Sequence, residues 1–350
     1  MEIKEIKKVL VRTPNWIGDS IICLPALEAL KDLYSEAELT VLSVPRTAAI
    51  FEGHPAVSDI IEYDRYGGHA GIMGKRALAR RLRDNQFDLA VLFQNAFDAA
   101  FIAWLAGIPR RAGYARDMRG LLLTNPVKVT EDIKKKHQVH YYLRVVEALG
   151  GKAPAEPVPR LYFEAGEQEE VVLFFEKYDI AKHSVLVGAA PGASYGPAKM
   201  WSADGFAEVV EKLSKEIGAV PLLFGGKDDV EAAAEVSKRI GMEHINLAGK
   251  THLREFMTIA GRLKIFITND SGPMHLAAAI GVPTVAVFGS TDPSLTGPLG
   301  GRVKVIKNKI DCSPCFEREC PYGHYDCMKA VTPDEVYRAC KELLGKKETG

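Results

Sequence analysis

The chain has 350 residues, 47% of them hydrophobic and 26% charged, and its 45 Lys+Arg balance its 45 Asp+Glu. That composition excludes a disordered, collagenous or coiled-coil protein, and zero formal charge argues against a general nucleic-acid binder while leaving room for local basic patches. At about 150 residues per domain, the length predicts two or three domains. Met1 to Lys8 alternates charged and apolar residues, so no secretory leader is expected and the chain reads as cytoplasmic. Short β-branched runs then alternate with helical patterns. The first strands are expected at Lys8–Arg12, Glu38–Val44, Ile60–Tyr63, Leu89–Phe93, Arg111–Tyr114 and Val127–Thr130. Between the first two, Ile21, Leu24, Leu27, Leu30 and Leu33 recur at helical spacing.

A Pro/Gly stretch, Gly150–Pro159, interrupts the series and reads as a linker, followed by a helix at Gly166–Tyr178. Strands resume at Val185–Ala190, Val220–Phe224, Ile245–Asn246, Ile265–Thr268, Thr284–Phe288 and Val303–Ile306. A last helix, Pro333–Leu344, opens on Thr332-Pro333, a cap followed by proline at the first helical position. Nearly continuous apolar strands alternating with helices predict parallel sheets covered on both faces. The fold class is therefore α/β: two doubly wound, Rossmann-like domains facing each other across a cleft. Two apolar stretches, Leu89–Pro109 and Ser271–Thr291, mimic membrane spans but read better as a buried strand beside a helix.

In such sheets ligands bind at the carboxyl ends of the strands. The first strand leads into Thr13-Pro14-Asn15-Trp16-Ile17-Gly18-Asp19, where Asp19 is either a helix cap or a general base. No G-x-G-x-x-G fingerprint is present, which disfavours a nicotinamide or flavin enzyme. After Val185–Ala190 comes a Gly-rich loop containing Gly192 and Lys199, suited to a phosphate but not a P-loop, because Met200 follows the lysine. Thr268-Asn269-Asp270-Ser271-Gly272-Pro273-Met274-His275 places four polar residues at a strand end and a helix N-terminus, more than capping needs. Gly225, Lys227 and Asp228 follow another strand of the same half and either border a nucleotide or form a solvated turn.

Together these segments resemble the ADP-heptose:lipopolysaccharide heptosyltransferases, glycosyltransferase family 9, most closely the heptosyltransferase II branch. The similarity runs through Pro14–Asp19, Pro191–Trp201, Leu223–Asp228, Asn246–Thr251 and Thr268–His275, in that order. The resemblance implies a GT-B fold with an acceptor-binding domain at 1–155, a linker and helix at 156–182, a nucleotide-sugar domain at 183–330 and a C-terminal helix at 331–350 packing back toward the first domain. It implies inverting transfer of L-glycero-D-manno-heptose from ADP-heptose to the lipopolysaccharide inner core, with no metal or other cofactor required for catalysis. Asp19 then looks like the base and Lys199 the donor-phosphate contact. Asp270 corresponds to a heptose-hydroxyl contact, Ser271 and Gly272 to the diphosphate site and His275 to a helix histidine nearby. Gly192, Gly225, Lys227 and Asp228 complete the donor side.

Asn15, Trp16, Gly18, Arg116 and Arg119 are the acceptor-side candidates, since arginines suit the carboxylates and phosphates of the inner core. A lipid-held acceptor also implies peripheral association with the cytoplasmic face of the inner membrane, and no nucleic-acid partner. Cys312, Cys315, Cys320 and Cys327 crowd together, with His324 among them. A structural zinc, disulfides and free thiols are the three readings of that cluster. Two other functions stay open: a transferase using a different nucleotide sugar, and a non-catalytic sugar-nucleotide or glycan binder, which would have no use for a base.

Overall fold

The computed structural model describes residues 5–164, 166–181 and 184–345, so the ends of the expected first and last segments, 1–4 and 346–350, lie outside it. The chain divides into two compact units, Met1–Phe163 and Glu164–Gly350. The segment 156–182, expected as a separate linker and helix, is divided between the units, with 156–163 in the first and the helix Glu167–Lys177 in the second. Its Val171, Phe174 and Phe175 are buried, and Glu167 pairs with Arg254 of the helix Leu253–Ala260.

In the first unit, β1 (Lys8–Arg12), β2 (Glu38–Ser43), β3 (Asp59–Glu62), β4 (Leu89–Leu92), β5 (Arg110–Tyr114) and β6 (Asn125–Val127) form one sheet in the order β3-β2-β1-β4-β5-β6. Every pairing is parallel. Val9, Leu10 and Val11 of β1 are wholly buried, as a central strand covered on both faces requires. β6 starts two residues before its expected position and carries Pro126, which an edge strand tolerates because one side of it needs no N–H donor.

The second unit repeats the plan. β7 (Val185–Ala190), β8 (Ala219–Leu223), β9 (Ile245–Asn246), β10 (Leu263–Asn269), β11 (Thr284–Val287) and β12 (Val303–Ile306) pair in parallel, in the order β12-β11-β10-β7-β8-β9. Both sheets are doubly wound, so each reverses direction between its first and fourth strands: β1 and β4, then β7 and β10. The crevice at that reversal is where open α/β sheets hold ligands.

The final helix, Pro333–Gly345, is capped by Thr332, whose Oγ1 accepts the Glu335 N–H at 3.3 Å. The resemblance directed this helix toward the first domain. Its apolar face, Val336, Ala339, Cys340 and Leu343, is part of the second unit's core, with Trp201, Phe206 and Val210. Among the described residues no helix is long and apolar enough to cross a membrane.

Arg119 corrects a second expectation. It is fully buried rather than presented to an acceptor. Its guanidinium donates to the Tyr114 carbonyl at 2.8 Å, to Asn95 Oδ1 at 3.1 Å and to the Gln94 carbonyl, tying together the chain beyond β4 and β5. Burial draws its pKa down to about 10, so the cation is retained at neutral pH. Arg119→Ala leaves three buried acceptors unmet and is expected to cost about 3 kcal/mol in urea unfolding; a loss within about 0.5 kcal/mol, the range of ordinary surface changes, would contradict this structural role.

Candidate functional site

In the first unit the β1–helix turn gathers one group of candidate residues. Arg12, buried at the end of β1, donates to Asn15 Oδ1 at 2.6 Å and lies over the Tyr63 ring at 5.3 Å. Burial lowers its pKa to about 10, and Tyr63 donates to Asp98 at 3.0 Å beside it. Asn15 is therefore fixed by a cation from the strand below it. Trp16 is the N-cap of the helix Ile17–Ile22 but makes no side-chain capping bond, and its half-exposed ring stacks with Arg46 at 5.3 Å.

Asp19 is thus not a cap. It sits in the first turn beyond Gly18, where the helix dipole favours negative charge. Its Oδ1 accepts the Tyr142 hydroxyl at 3.1 Å from the helix Gln138–Glu147. Tyr142 is buried, and burial together with the Asp19 charge pushes its pKa well above the ordinary value, so it stays a donor. A partly exposed carboxylate, oriented by a hydroxyl that does not ionise, can accept a proton from a hydroxyl substrate. Tyr142 had no signal in the sequence because 123 residues separate it from Asp19. Arg116 is exposed and pairs with Asp117 at 3.2 Å.

The second unit places its candidates around the β7/β10 reversal. Asn269, at the end of β10, accepts the Trp201 N–H at 3.0 Å and donates to the Pro191 carbonyl at 2.7 Å, stapling both ends of the Lys199 loop. Lys199 Nζ lies 2.5 Å from Asp270 Oδ2, with side-chain exposures of 12% and 4%. Thr291 Oγ1 donates to the same oxygen at 2.5 Å, and Lys307 holds the Thr291 carbonyl at 2.8 Å. The Lys199 ammonium also lies 4.7 Å over the Tyr195 ring.

Ser271 caps the helix Gly272–Ile280 through its backbone alone, without a side-chain bond. In the first turn Pro273 has no N–H and the Met274 N–H turns back to the Ser271 carbonyl at 3.1 Å, so the amides offered at the helix N-terminus are those of Ser271 and Gly272. His275 is buried one turn into that helix. The resulting arrangement, an ammonium beside a row of amides, suits a diphosphate.

The glycines have a different cause from the one their sequence context suggested. A Cβ on Gly192 would run into the Asp229 carboxylate, and one on Gly225 would crowd the Asp229 Cβ. Asp229 in turn accepts the Gly226 N–H at 2.9 Å. Lys227 and Asp228 lie exposed on the same turn, Lys227–Asp229. Asp229 is the residue that sequence reasoning passed over, although its place three after Gly226 is a capping signal.

All six cysteines are free thiols. Cys312, Cys315, Cys320 and Cys327 line one small cavity with Ser290 and His324, yet among the described residues no three His, Cys, Asp or Glu side chains are placed to hold a metal ion. The expected structural zinc thus finds no ready ligand shell. Hydrogen bonds pin this loop instead. Phe316 N–H reaches the Ser290 carbonyl at 2.8 Å, and Tyr195 Oη donates to the Phe316 carbonyl at 2.6 Å. Ala198 N–H donates to the Arg318 carbonyl at 3.0 Å, so the cysteine loop braces the loop that carries Lys199.

Comparisons with known proteins identify the family. The chain is 31% identical to lipooligosaccharide heptosyltransferase 2 of Campylobacter jejuni, over 96% of this chain and 98% of that protein. It is 29% identical to lipopolysaccharide heptosyltransferase 2 of Escherichia coli K12, over 97% and 99%. The solved structure of the E. coli ADP-heptose lps heptosyltransferase II superposes with a TM-score of 0.81 at 28% identity, covering 96% of this chain and 98% of that one. The model of glycosyltransferase family 9 (heptosyltransferase) matches residues 75–326. With two doubly wound units, an oriented carboxylate on the first and a cationic, amide-lined strand end on the second, the chain belongs to glycosyltransferase family 9 and has the GT-B architecture.

Proposed function

We propose that the protein transfers heptose from ADP-heptose to the inner core of lipopolysaccharide, with inversion at the anomeric carbon. The observation that carries this reading is the Lys199–Asp270 pair directly before the helix Gly272–Ile280, at the strand reversal where a sugar nucleotide would bind. The near full-length similarity to heptosyltransferases supports ADP-heptose over other donors.

In the reaction, Asp19 takes the proton of the acceptor hydroxyl as its oxygen forms a bond to C1 of the heptose. The bond from C1 to the phosphate oxygen breaks, and ADP leaves with the electron pair. Negative charge grows on the diphosphate in that step, where Lys199 and the amides of Ser271 and Gly272 meet it. Asp270 and His275 serve the sugar, and Gly192, Gly225, Lys227 and Asp228 border the nucleoside. Asn15, Trp16, Gly18 and Arg116 serve the acceptor. Attack from the face opposite the leaving group inverts the anomeric centre and calls for no metal. Because the acceptor is held in a lipid bilayer, the enzyme would work peripherally at the cytoplasmic face of the inner membrane. A non-catalytic binder would leave Asp19 and its Tyr142 partner unexplained.

Four outcomes test this reading. Asp19→Asn should lower kcat with ADP-heptose and a truncated core acceptor by about 10² to 10⁴ while ADP affinity is unchanged, the range expected for loss of a general base. Turnover within a few-fold of wild type would refute the assignment. In thermal shift, ADP should stabilise the protein and UDP should not. Lys199→Met should abolish that ADP shift, and should also lower the Tm without ligand because Asp270 is then stranded. Exhaustive chelation before assay should leave transfer unchanged; recovery only on adding a divalent ion would overturn the metal-free mechanism.

A further inference from the structure

The helices on one face of the first unit's sheet present a surface that its catalytic role does not use. The helix Gly71–Asp84 leads from β3 to β4, and the helix Phe97–Leu105 from β4 to β5. Right-handed crossovers in the same direction put both on one face, with the short turn Arg119–Leu122 beside them. The two helices run side by side: Lys75 lies 3.8 Å from Asp98 near their N-termini, and Arg83 donates to the Leu105 carbonyl at 2.6 Å near their C-termini.

The helix Phe97–Leu105 is apolar on all sides apart from Asp98, the composition of a fully enclosed helix, yet one stripe of it faces solvent. Phe97, Phe101 and Trp104, at positions i, i+4 and i+7, form that stripe. Their rings stack, with centroids 6.1 and 6.0 Å apart, and Phe97 and Trp104 are about half exposed. Around them Ile72, Met73, Met118 and Leu121 are exposed by 67% to 96%. The adjoining helix carries Lys75, Arg76, Arg80, Arg81 and Arg83 against one acid, Asp84, in a chain whose overall charge is zero. Arg76, Arg80 and Arg81 are exposed.

Stacked aromatics beside a cationic helix match a bilayer interface, where rings enter the headgroup region and arginines meet phosphate. We propose that this layer, the helices Gly71–Asp84 and Phe97–Leu105 with the turn Arg119–Leu122, is a docking surface for anionic lipid. It gives the membrane-held acceptor of the proposed function a physical place of encounter, but it is built from residues other than Asp19 and its partner Tyr142.

Sedimentation with vesicles of phosphatidylethanolamine and phosphatidylglycerol, compared with phosphatidylcholine alone, tests the proposal without donor or acceptor. The wild-type chain should pellet with the anionic vesicles and release in high salt. Combined Arg76→Glu, Arg80→Glu and Arg81→Glu should weaken partitioning by at least about tenfold. Combined Phe97→Ser and Trp104→Ser should weaken it by about tenfold, with residual binding fully salt-sensitive. Both variants should keep the wild-type circular dichroism spectrum and transfer to a truncated soluble acceptor. Three results would overturn the proposal: no pelleting of the wild type, pelleting indifferent to salt and to charge reversal, or a wild-type dimer that Trp104→Ser dissociates, which would mean that a second copy covers this face. Loss of transfer to the soluble acceptor by the wild type would instead sink the functional reading and leave this one intact.

Discussion

An ammonium and a carboxylate held 2.5 Å apart, nearly shut off from water, organise the second unit's end of the chemistry. Burying such a pair is unfavourable unless each partner finds further bonds, and Asp270 finds one in Thr291. Everything nearby serves to keep the two loops in register. Asn269 fastens the Lys199 loop at both ends, Tyr195 lies under the ammonium, and the cysteine loop grips the same segment through backbone bonds. In the proposed reaction an incoming diphosphate offers Lys199 an anion in exchange for Asp270, and the carboxylate turns to the hydroxyls of the sugar.

The first unit solves a different problem with a similar sheet. In the proposed reaction Asp19 accepts a proton, so it must not serve as the cap of the helix it stands in. Trp16 takes the capping position, and Tyr142 orients the aspartate from a separate helix. The same economy shows in Arg12 and Arg119. Both are buried cations spent on holding loops rather than on ligands.

Strand positions were readable along the sequence because apolar runs of four to six residues recur between turn residues, and the twelve expected strands are the twelve observed among the described residues. The β6 register was misjudged because its Pro126 reads as a breaker, and only edge placement makes it acceptable. The segments that carry Asp19, Lys199 and Asp270 were legible as strand-to-helix connections, and the structure places Lys199 and Asp270 in such connections and Asp19 in the first helical turn after one. What stayed hidden depends on contacts between distant residues. Tyr142 has no local mark, Arg119 looks like any surface arginine until its acceptors are seen, and the cysteine spacing suggested a zinc shell that the loop's own hydrogen bonds render unnecessary for its shape.

Asp229 fits against two glycines that come from different loops, one following β7 and the other following β8. The arrangement behaves as a three-part lock: a side chain at either glycine ejects the aspartate, and a larger residue at 229 displaces both loops. Neither loop can therefore be exchanged alone. A grafted β8 loop must bring glycine to 225 and a short acid to 229, or the loop after β7 moves with it.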